Sequence, residues 1–357
     1  MERDPHREIS LALSGGGIRA MGFHLGVLRR MAELGLLERV KRISTVSGGS
    51  LVIGLIYQTC DWNWPSSQEF IDRAYPKVTS LLCNRSFQVD AASQLLNPRQ
   101  WRFVLSRANL LAAALRQHWG FDIPLSALPE GPEWSINGTT AENGKRFRFK
   151  REQIGDWELG YAHAPDLSIS TALAVSAAFP VGFGPLVIRT ADFRWRKREW
   201  NSPDHQASEV KLPYNYLHLY DGGVYDNLGL EPFFHPGDQT TKHAGDYIIA
   251  SDAGAPLAQG FVAGPLSPFR IKRVMDIMSD QTRALRVRAF VNYLKRNPAS
   301  GAFLSIVPAF GSPRSDDAEF ATSFPTSLAR FRRSDLGRLT DYGHTVARDA
   351  ECKFGLG

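Results

Sequence analysis

The sequence predicts an α/β fold of three αβα layers, with a mostly parallel central sheet and an inserted helical segment. Three observations predict it. Short apolar runs end in glycine-rich turns, apolar residues at helical spacing follow each turn, and the resulting strand-helix-strand-helix order calls for a parallel sheet with helices on both faces. With 43% hydrophobic residues among 357, the chain can bury a substantial core.

The first strand is the apolar run Ile9-Ser10-Leu11-Ala12-Leu13, and it empties into Ser14-Gly15-Gly16-Gly17-Ile18-Arg19-Ala20. Residues 20–36 then carry apolar positions at helical spacing. A second strand, Ile43-Ser44-Thr45-Val46, runs into Ser47-Gly48-Gly49-Ser50, and a helix follows over 50–57. One turn offers free backbone N–H groups and the other a serine hydroxyl. Nucleophilic acyl transfer needs both, a serine on a tight turn and donors aimed at the oxyanion that forms on attack. Gly15-x-Gly17-x-x-Ala20 also fits a dinucleotide-binding turn, but that site wants an acid at the end of the second strand, where this chain has Thr45-Val46-Ser47. Taken alone, Ser47 would also serve as a helix N-cap.

Residues 61–128 read as a mostly helical insertion. Within it Trp101, Val104, Leu105, Ala108, Leu111, Ala112, Leu115 and Trp119 fall on one helical face, which is either a packing face or a lid that meets acyl chains. A strand pair follows at 134–140 and 145–151. In the second of these, Phe147 and Phe149 share one face while Arg146, Arg148 and Lys150 share the other, the pattern of an edge strand with a charged outward side. A second basic run, Arg194 to Trp200, interleaves cations with tryptophan. The apolar strand Tyr216-Leu217-His218-Leu219-Tyr220 ends in Asp221-Gly222-Gly223, an Asp-Gly turn. A helix over 270–296, a strand over 303–307 and helices over 326–332 and 336–352 complete the chain, which reads as one domain spanning 1–357.

Taken together, the Gly15-Gly16-Gly17-x-Arg19 turn, the Ser47 elbow, the Asp221-Gly222-Gly223 turn and the small-residue stretch Ala172 to Pro180 resemble the patatin-like phospholipases over nearly the whole chain. The resemblance implies a Ser-Asp dyad with Ser47 as nucleophile and Asp221 as base. It implies an oxyanion hole from the N–H groups of Gly15, Gly16 and Gly17, with Arg19, Gly49, Gly222 and Gly223 in support. Two positions depart from the pattern: Thr45 stands where the elbow has its first glycine, and Ser14 where an acid often precedes the three glycines. A free carboxylate near pKa 3.9 is a poor base at neutral pH, so Asp221 has to be buried for this role. The rival bases are His235, His243 and His344, which follow Asp221 in the order of a serine triad, and the rival acid is Asp252.

The expected activity is therefore lipid acyl hydrolysis of the phospholipase A or lysophospholipase type through a Ser47 acyl-enzyme. A soluble carboxylesterase or thioesterase, and an inactive lipid- or partner-binding module, are the alternatives. The three cysteines have no metal-ligand spacing, and neither metal nor cofactor is expected. The charged start of the sequence is unlike a signal peptide, and no stretch reaches the roughly 20 apolar residues of a membrane span. A cytoplasmic protein is expected. The net charge of +6 suits transient contact with the anionic inner face of a membrane. No nucleic-acid-binding motif is present, so nucleic acid is not an expected partner. Oligomeric state is not readable from the sequence.

Overall fold

The computed structural model describes residues 7–354, apart from 105, 181–182, 200–201, 262–263, 265–266, 268 and 310–314. Leu105, Trp200 and the charged start Met1 to His6 lie outside the described residues.

The chain begins β1 (Ile9–Leu13), α1 (Gly17–Glu33), β2 (Val40–Thr45) and α2 (Gly48–Thr59). This is the predicted alternation, with each helix starting directly at its glycine turn. Helices α3 (Ser67–Glu69), α4 (Tyr75–Asn84), α5 (Phe87–Ser93) and α6 (Arg107–Trp119) make up the helical segment expected over 61–128. Next come β3 (Glu133–Thr140), β4 (Arg146–Phe149), β5 (Gln153–Asp156), β6 (Gly160–His163), α7 (Ile169–Ser176), β7 (Leu186–Arg189), β8 (Trp195–Lys197), β9 (Ser208–Glu209), β10 (Tyr216–Asp221) and α8 (Gly223–Asp226). The last elements are β11 (Phe234–His235), β12 (Thr240–Thr241), β13 (Tyr247–Asp252), α9 (Phe269–Arg296), β14 (Gly301–Ser305), α10 (Asp316–Ser323) and α11 (Arg333–Phe354).

The core of the sheet is parallel, in the order β14-β13-β1-β2-β3. Strand alternation builds the three layers. Ile9, Leu11, Leu13, Tyr247 and Ile249 point to one face, packed with α1, α2 and α11, while Ala12, Ile248 and Ala250 point to the other, against Phe234 of β11 and Phe290 of α9. Each fully buried aliphatic side chain here contributes roughly 1.5–3 kcal/mol. Beyond β3 the sheet continues antiparallel through β4, β5, β6, β8 and β9.

One detail of register places the site. β2 pairs with β3 from Glu133 to Ile136 and stops at Thr45. β10 pairs antiparallel with Gly138 to Thr140, ending with Asp221 opposite Gly138. Because β4 occupies the other edge of β3 over Ile136 to Thr139, β2 and β10 share one edge and run toward each other along it. The turn leaving β2 and the aspartate ending β10 therefore meet across Asn137.

Three expectations change. β4 is not an edge strand, since β3 and β5 flank it; its charged side faces a cavity and not bulk solvent. The apolar stripe does not sit on one helix: Ala108, Leu111, Ala112, Leu115 and Trp119 are buried on α6, whereas Trp101 and Val104 precede it and are exposed. Residues 326–332 are irregular, and the helix lies earlier, at α10. Their backbone groups are committed elsewhere: Ile18 N–H donates to the Ser327 carbonyl at 2.8 Å, and Phe331 N–H to the Leu82 carbonyl at 2.9 Å.

Candidate active site

Ser47 sits between β2 and α2 with φ 51° and ψ −118°, a backbone conformation that L-residues with a side chain rarely adopt. Such strain costs on the order of 1–3 kcal/mol and is kept only where the surroundings impose it. They do so here through contact. A Cβ on Gly48 would lie 2.2 Å from the Gly17 carbonyl oxygen, and one on Gly49 2.7 Å from that of Leu13, so only glycine lets the elbow press against the first turn. The Ser47 N–H donates to Ser176 Oγ at 3.0 Å, and Ser176 Oγ also meets Ser50 Oγ at 2.8 Å.

The two departures from the family pattern are accommodated. Thr45 is fully buried, and its hydroxyl sits 2.8 Å from Ser50 Oγ while accepting the Trp134 indole N–H at 2.9 Å. Its Cβ therefore points into a filled polar niche rather than into the elbow. Ser14 Oγ accepts the Ala253 N–H at 2.8 Å, and the buried His24 ring meets Ser14 O at 3.0 Å and Ser251 Oγ at 2.8 Å. Burial lowers the His24 pKa to about 4, so the ring is a neutral clamp under the glycine turn.

Asp221 ends β10 and is almost wholly buried. Its carboxylate accepts the Gly223 N–H at 2.7 Å, and both Ser47 and Asp221 line the same cavity. Burial raises its pKa to about 7, against the pull of the Gly223 N–H and the Ser47 hydroxyl, and among the described residues no cation pairs with it. Gly222 is required by space, since a Cβ there would fall 2.5 Å from the Asn137 carbonyl oxygen, whereas a Cβ on Gly223 would meet the Asn227 side chain at Oδ1, 2.7 Å away.

The three glycines of the first turn divide in their roles. Gly15 N–H donates to the Asn227 carbonyl at 3.0 Å, so it is already engaged. Among the described residues the N–H groups of Gly16 and Gly17 meet no protein acceptor, and both glycines line the cavity that holds Ser47 and Asp221. Arg19 is buried and braces the turn by donating to the carbonyls of Ala253 at 3.0 Å and Phe324 at 2.8 Å. Burial lowers its pKa to about 10, with Arg283 adding to the fall and Asp252 opposing it.

The rivals stand apart. Among the described residues no histidine lines this cavity. His344 meets Glu33 at 2.7 Å, while His235 and His243 line a different cavity. Asp252 is ion-paired with Arg283 and accepts the Gly254 N–H at 2.9 Å, as a strand-end acid does. His24, Ser176 and Asn227 were missed in the sequence. The only signal for Ser176 was its place in the small-residue stretch before Pro180.

The cavity has a volume of about 990 Å³. Val104, Phe179, Val224 and Met278 line it and are also among the exposed large apolar residues, so its mouth is apolar. Among the described residues no group of side chains is arranged to hold a metal ion, and no helix is long and apolar enough to cross a membrane.

A family model described as patatin-like phospholipase matches residues 11–234, a range that includes Gly15 to Gly17, Arg19, Ser47 and Asp221. The chain belongs to the patatin-like phospholipase family. Human GIVD cytosolic phospholipase A2 superposes with a TM-score of 0.56 at 15% identity, over 99% of this chain and 60% of that one. Its complex with methyl gamma-linolenyl fluorophosphonate gives 0.52 at 16% identity, over 99% and 59%. These likenesses establish a shared patatin-like fold. Cytosolic phospholipase A2 zeta of Homo sapiens is 42% identical over 67 residues, and that of Mus musculus matches equally. The match spans 19% of this chain and only 8% of each of those proteins.

Proposed function

We propose that this patatin-like protein is a lipid acyl hydrolase of the phospholipase A or lysophospholipase type, working through a Ser47-Asp221 dyad. The observation that carries the reading is the meeting in one cavity of Ser47, on its strained turn, with a buried carboxyl whose pKa is raised to about 7 and with the backbone donors of Gly16 and Gly17, which have no acceptor among the described residues. A base poised near neutrality is what proton removal from serine requires.

In the proposed reaction Ser47 Oγ bonds to the ester carbonyl carbon as its proton passes to Asp221. The N–H groups of Gly16 and Gly17 hold the oxyanion, each such donor contributing about a hundredfold or more in rate. The C–O bond to the glycerol oxygen breaks, and that oxygen takes the proton from Asp221. Water then attacks the acyl carbon as Asp221 takes its proton, the bond from that carbon to Ser47 Oγ breaks, Oγ takes the proton back from Asp221, and fatty acid leaves.

The substrate reading rests on the apolar mouth. Phe269, Ile271 and Val274 on α9, whose later residue Met278 lines the cavity, are exposed as well, which suits transient contact with a lipid surface at the cytoplasmic face of a membrane. In this reading the whole chain acts as one hydrolase domain, and the segment 61–128, which supplies Gln88, Ala91, Leu95 and Val104 to the cavity, serves as its lid.

The test is fatty-acid release from phospholipid vesicles, together with labelling by a fluorophosphonate, for the protein, Ser47→Ala and Asp221→Asn. Ser47→Ala is expected to lose at least a thousandfold in rate and all labelling, and Asp221→Asn a comparable share of the rate, with both folded. Full activity in Asp221→Asn sinks the dyad, and an unlabelled, inactive parent protein sinks the hydrolase reading.

A further inference from the structure

A second cavity, of about 1100 Å³, lies over the face of the sheet opposite Phe147 and Phe149. Its floor is the charged side of β4, where Arg146, Arg148 and Lys150 stand two residues apart and all line the space. Lys242 and Lys197 line it too. The hydrolase site uses none of these residues.

Glu133, Glu199, Glu231 and Asp238 also line the cavity, but the two arginines of the floor are not ion-paired to them. Lys150 pairs with Glu133 at 2.6 Å, and Lys242 reaches Glu231 at 3.5 Å, but Glu231 is also held by Arg286 at 2.9 Å. Among the described residues neither Arg146 nor Arg148 has a carboxylate partner. Arg146 donates to the neutral Asn137 Oδ1 at 2.9 Å. The Arg148 guanidinium lies 4.0 Å from the centre of the Tyr161 ring, and its buried Nε has no hydrogen-bond partner. Burial, reinforced by repulsion from Arg148, lowers the pKa values of Arg146 and Lys150. Burial also lowers that of Lys242, with Arg146 adding to the fall. Half-buried arginines without an ion-paired carboxylate are costly, and their retention in a roomy chamber is explained by an anion that joins them.

The donors match phosphate. Two guanidinium forks two positions apart on a strand offer bidentate contacts, flanked by ammonium groups as point charges. The chamber is far larger than one phosphate needs, and Tyr161, Tyr225 and Phe233 supply flat walls. We propose that this cavity binds a small ring compound carrying two or more phosphates, whether free in solution or as the head group of a lipid, with Arg146, Arg148 and Lys150 taking the phosphates. This is independent of the hydrolase reading, because no residue of the first site takes part.

The test is calorimetric titration of the full chain with inositol trisphosphate and with ATP, beside flotation with vesicles that do or do not contain a few per cent of phosphatidylinositol bisphosphate. The parent protein is expected to bind one of the free compounds with a Kd of about 10 μM, or to bind only the phosphoinositide vesicles, which identifies a head group as the source. Arg148→Gln and Lys197→Glu are each expected to weaken binding about tenfold, and Ser47→Ala to bind as the parent does. Lys197 is exposed, so its variant carries the test even where Arg148→Gln does not fold. Absence of binding to all three probes, or equal binding by both charge variants, overturns the proposal.

Discussion

The two cavities are similar in size and lie along the same sheet, yet their chemistry is inverted. Among the described residues, a buried carboxyl in the first is paired with no cation, and two arginines in the second are ion-paired with no carboxylate. Burial acts on both in the same physical sense, favouring the neutral form, and so moves them in opposite directions: Asp221 up, Arg146 and Lys150 down. A chain folded only for stability would pair these charges or replace them with apolar groups. Where charge is held uncompensated at a cost, a chemical task is the economical explanation, and the contrast separates a site built to move a proton from one built to hold an anion.

Among variants that keep both Ser47 and Asp221, the largest effect expected concerns the rigidity of the first chamber. Gly48→Ala forces a Cβ to within 2.2 Å of the Gly17 carbonyl oxygen, which has no room to retreat without moving the oxyanion donors. Fatty-acid release is expected to fall at least a hundredfold, and a variant with parental rates breaks the picture of an elbow pressed on the glycine turn.

Next in size is a stability effect with a defined sign. The folded pKa of Asp221, about 7, lies above its unfolded value of 3.8, so the folded state binds the proton more tightly and stability falls as pH rises from 4 to 7. Asp221→Asn is therefore expected to be more stable than the parent above pH 7, by up to about 4 kcal/mol, with the gap closing toward pH 4. Urea titrations at several pH values read this directly, and a gap that does not vary with pH removes the case for a strained carboxyl.

The same pKa sharpens the kinetic side. The base must be ionised, so kcat/KM is expected to rise with pH through an apparent pKa near 7 and level off above it. A rise centred near pH 4 means the burial of Asp221 is relieved in the working enzyme. The smallest effect belongs to the second chamber. Added salt at about 0.3 M is expected to raise the parental Tm by a degree or two through screening of the β4 cations, and Arg148→Gln to respond less. Equal responses remove the repulsion argument.

Much of the first chamber was legible because its parts are local. A strand, a glycine turn and a helix are each written in consecutive residues, and the segments at Ser14 to Ala20, Ser47 to Ser50 and Asp221 to Gly223 carry their own turn chemistry. What was illegible depends on partners distant in the chain. The Gly15 N–H is engaged by Asn227, and nothing near Gly15 announces that. Thr45 fits because Trp134 and Ser50 complete its hydroxyl. On β4, alternation shows that one face is charged, but the same pattern suits open water and a walled chamber; only the placing of β5 and of the 231–243 segment distinguishes them. The irregular stretch 326–332 was read as helix because its backbone partners lie in α1 and α4.

Asn137 bonds to a residue beside each chamber, and its amide faces both ways. Its Nδ2 donates to the Thr45 carbonyl at 2.9 Å, two residues before Ser47, and its Oδ1 accepts from Arg146 at 2.9 Å. One planar group thus uses its donor end to steady the reactive turn and its acceptor end to tether a cation of the other chamber. Exchanging that amide for a carboxylate turns the trade-off into a single-atom matter: Asn137→Asp gives Arg146 the counter-charge it lacks while setting oxygen against oxygen at Thr45, so tighter anchoring on one side is purchased with a looser elbow on the other.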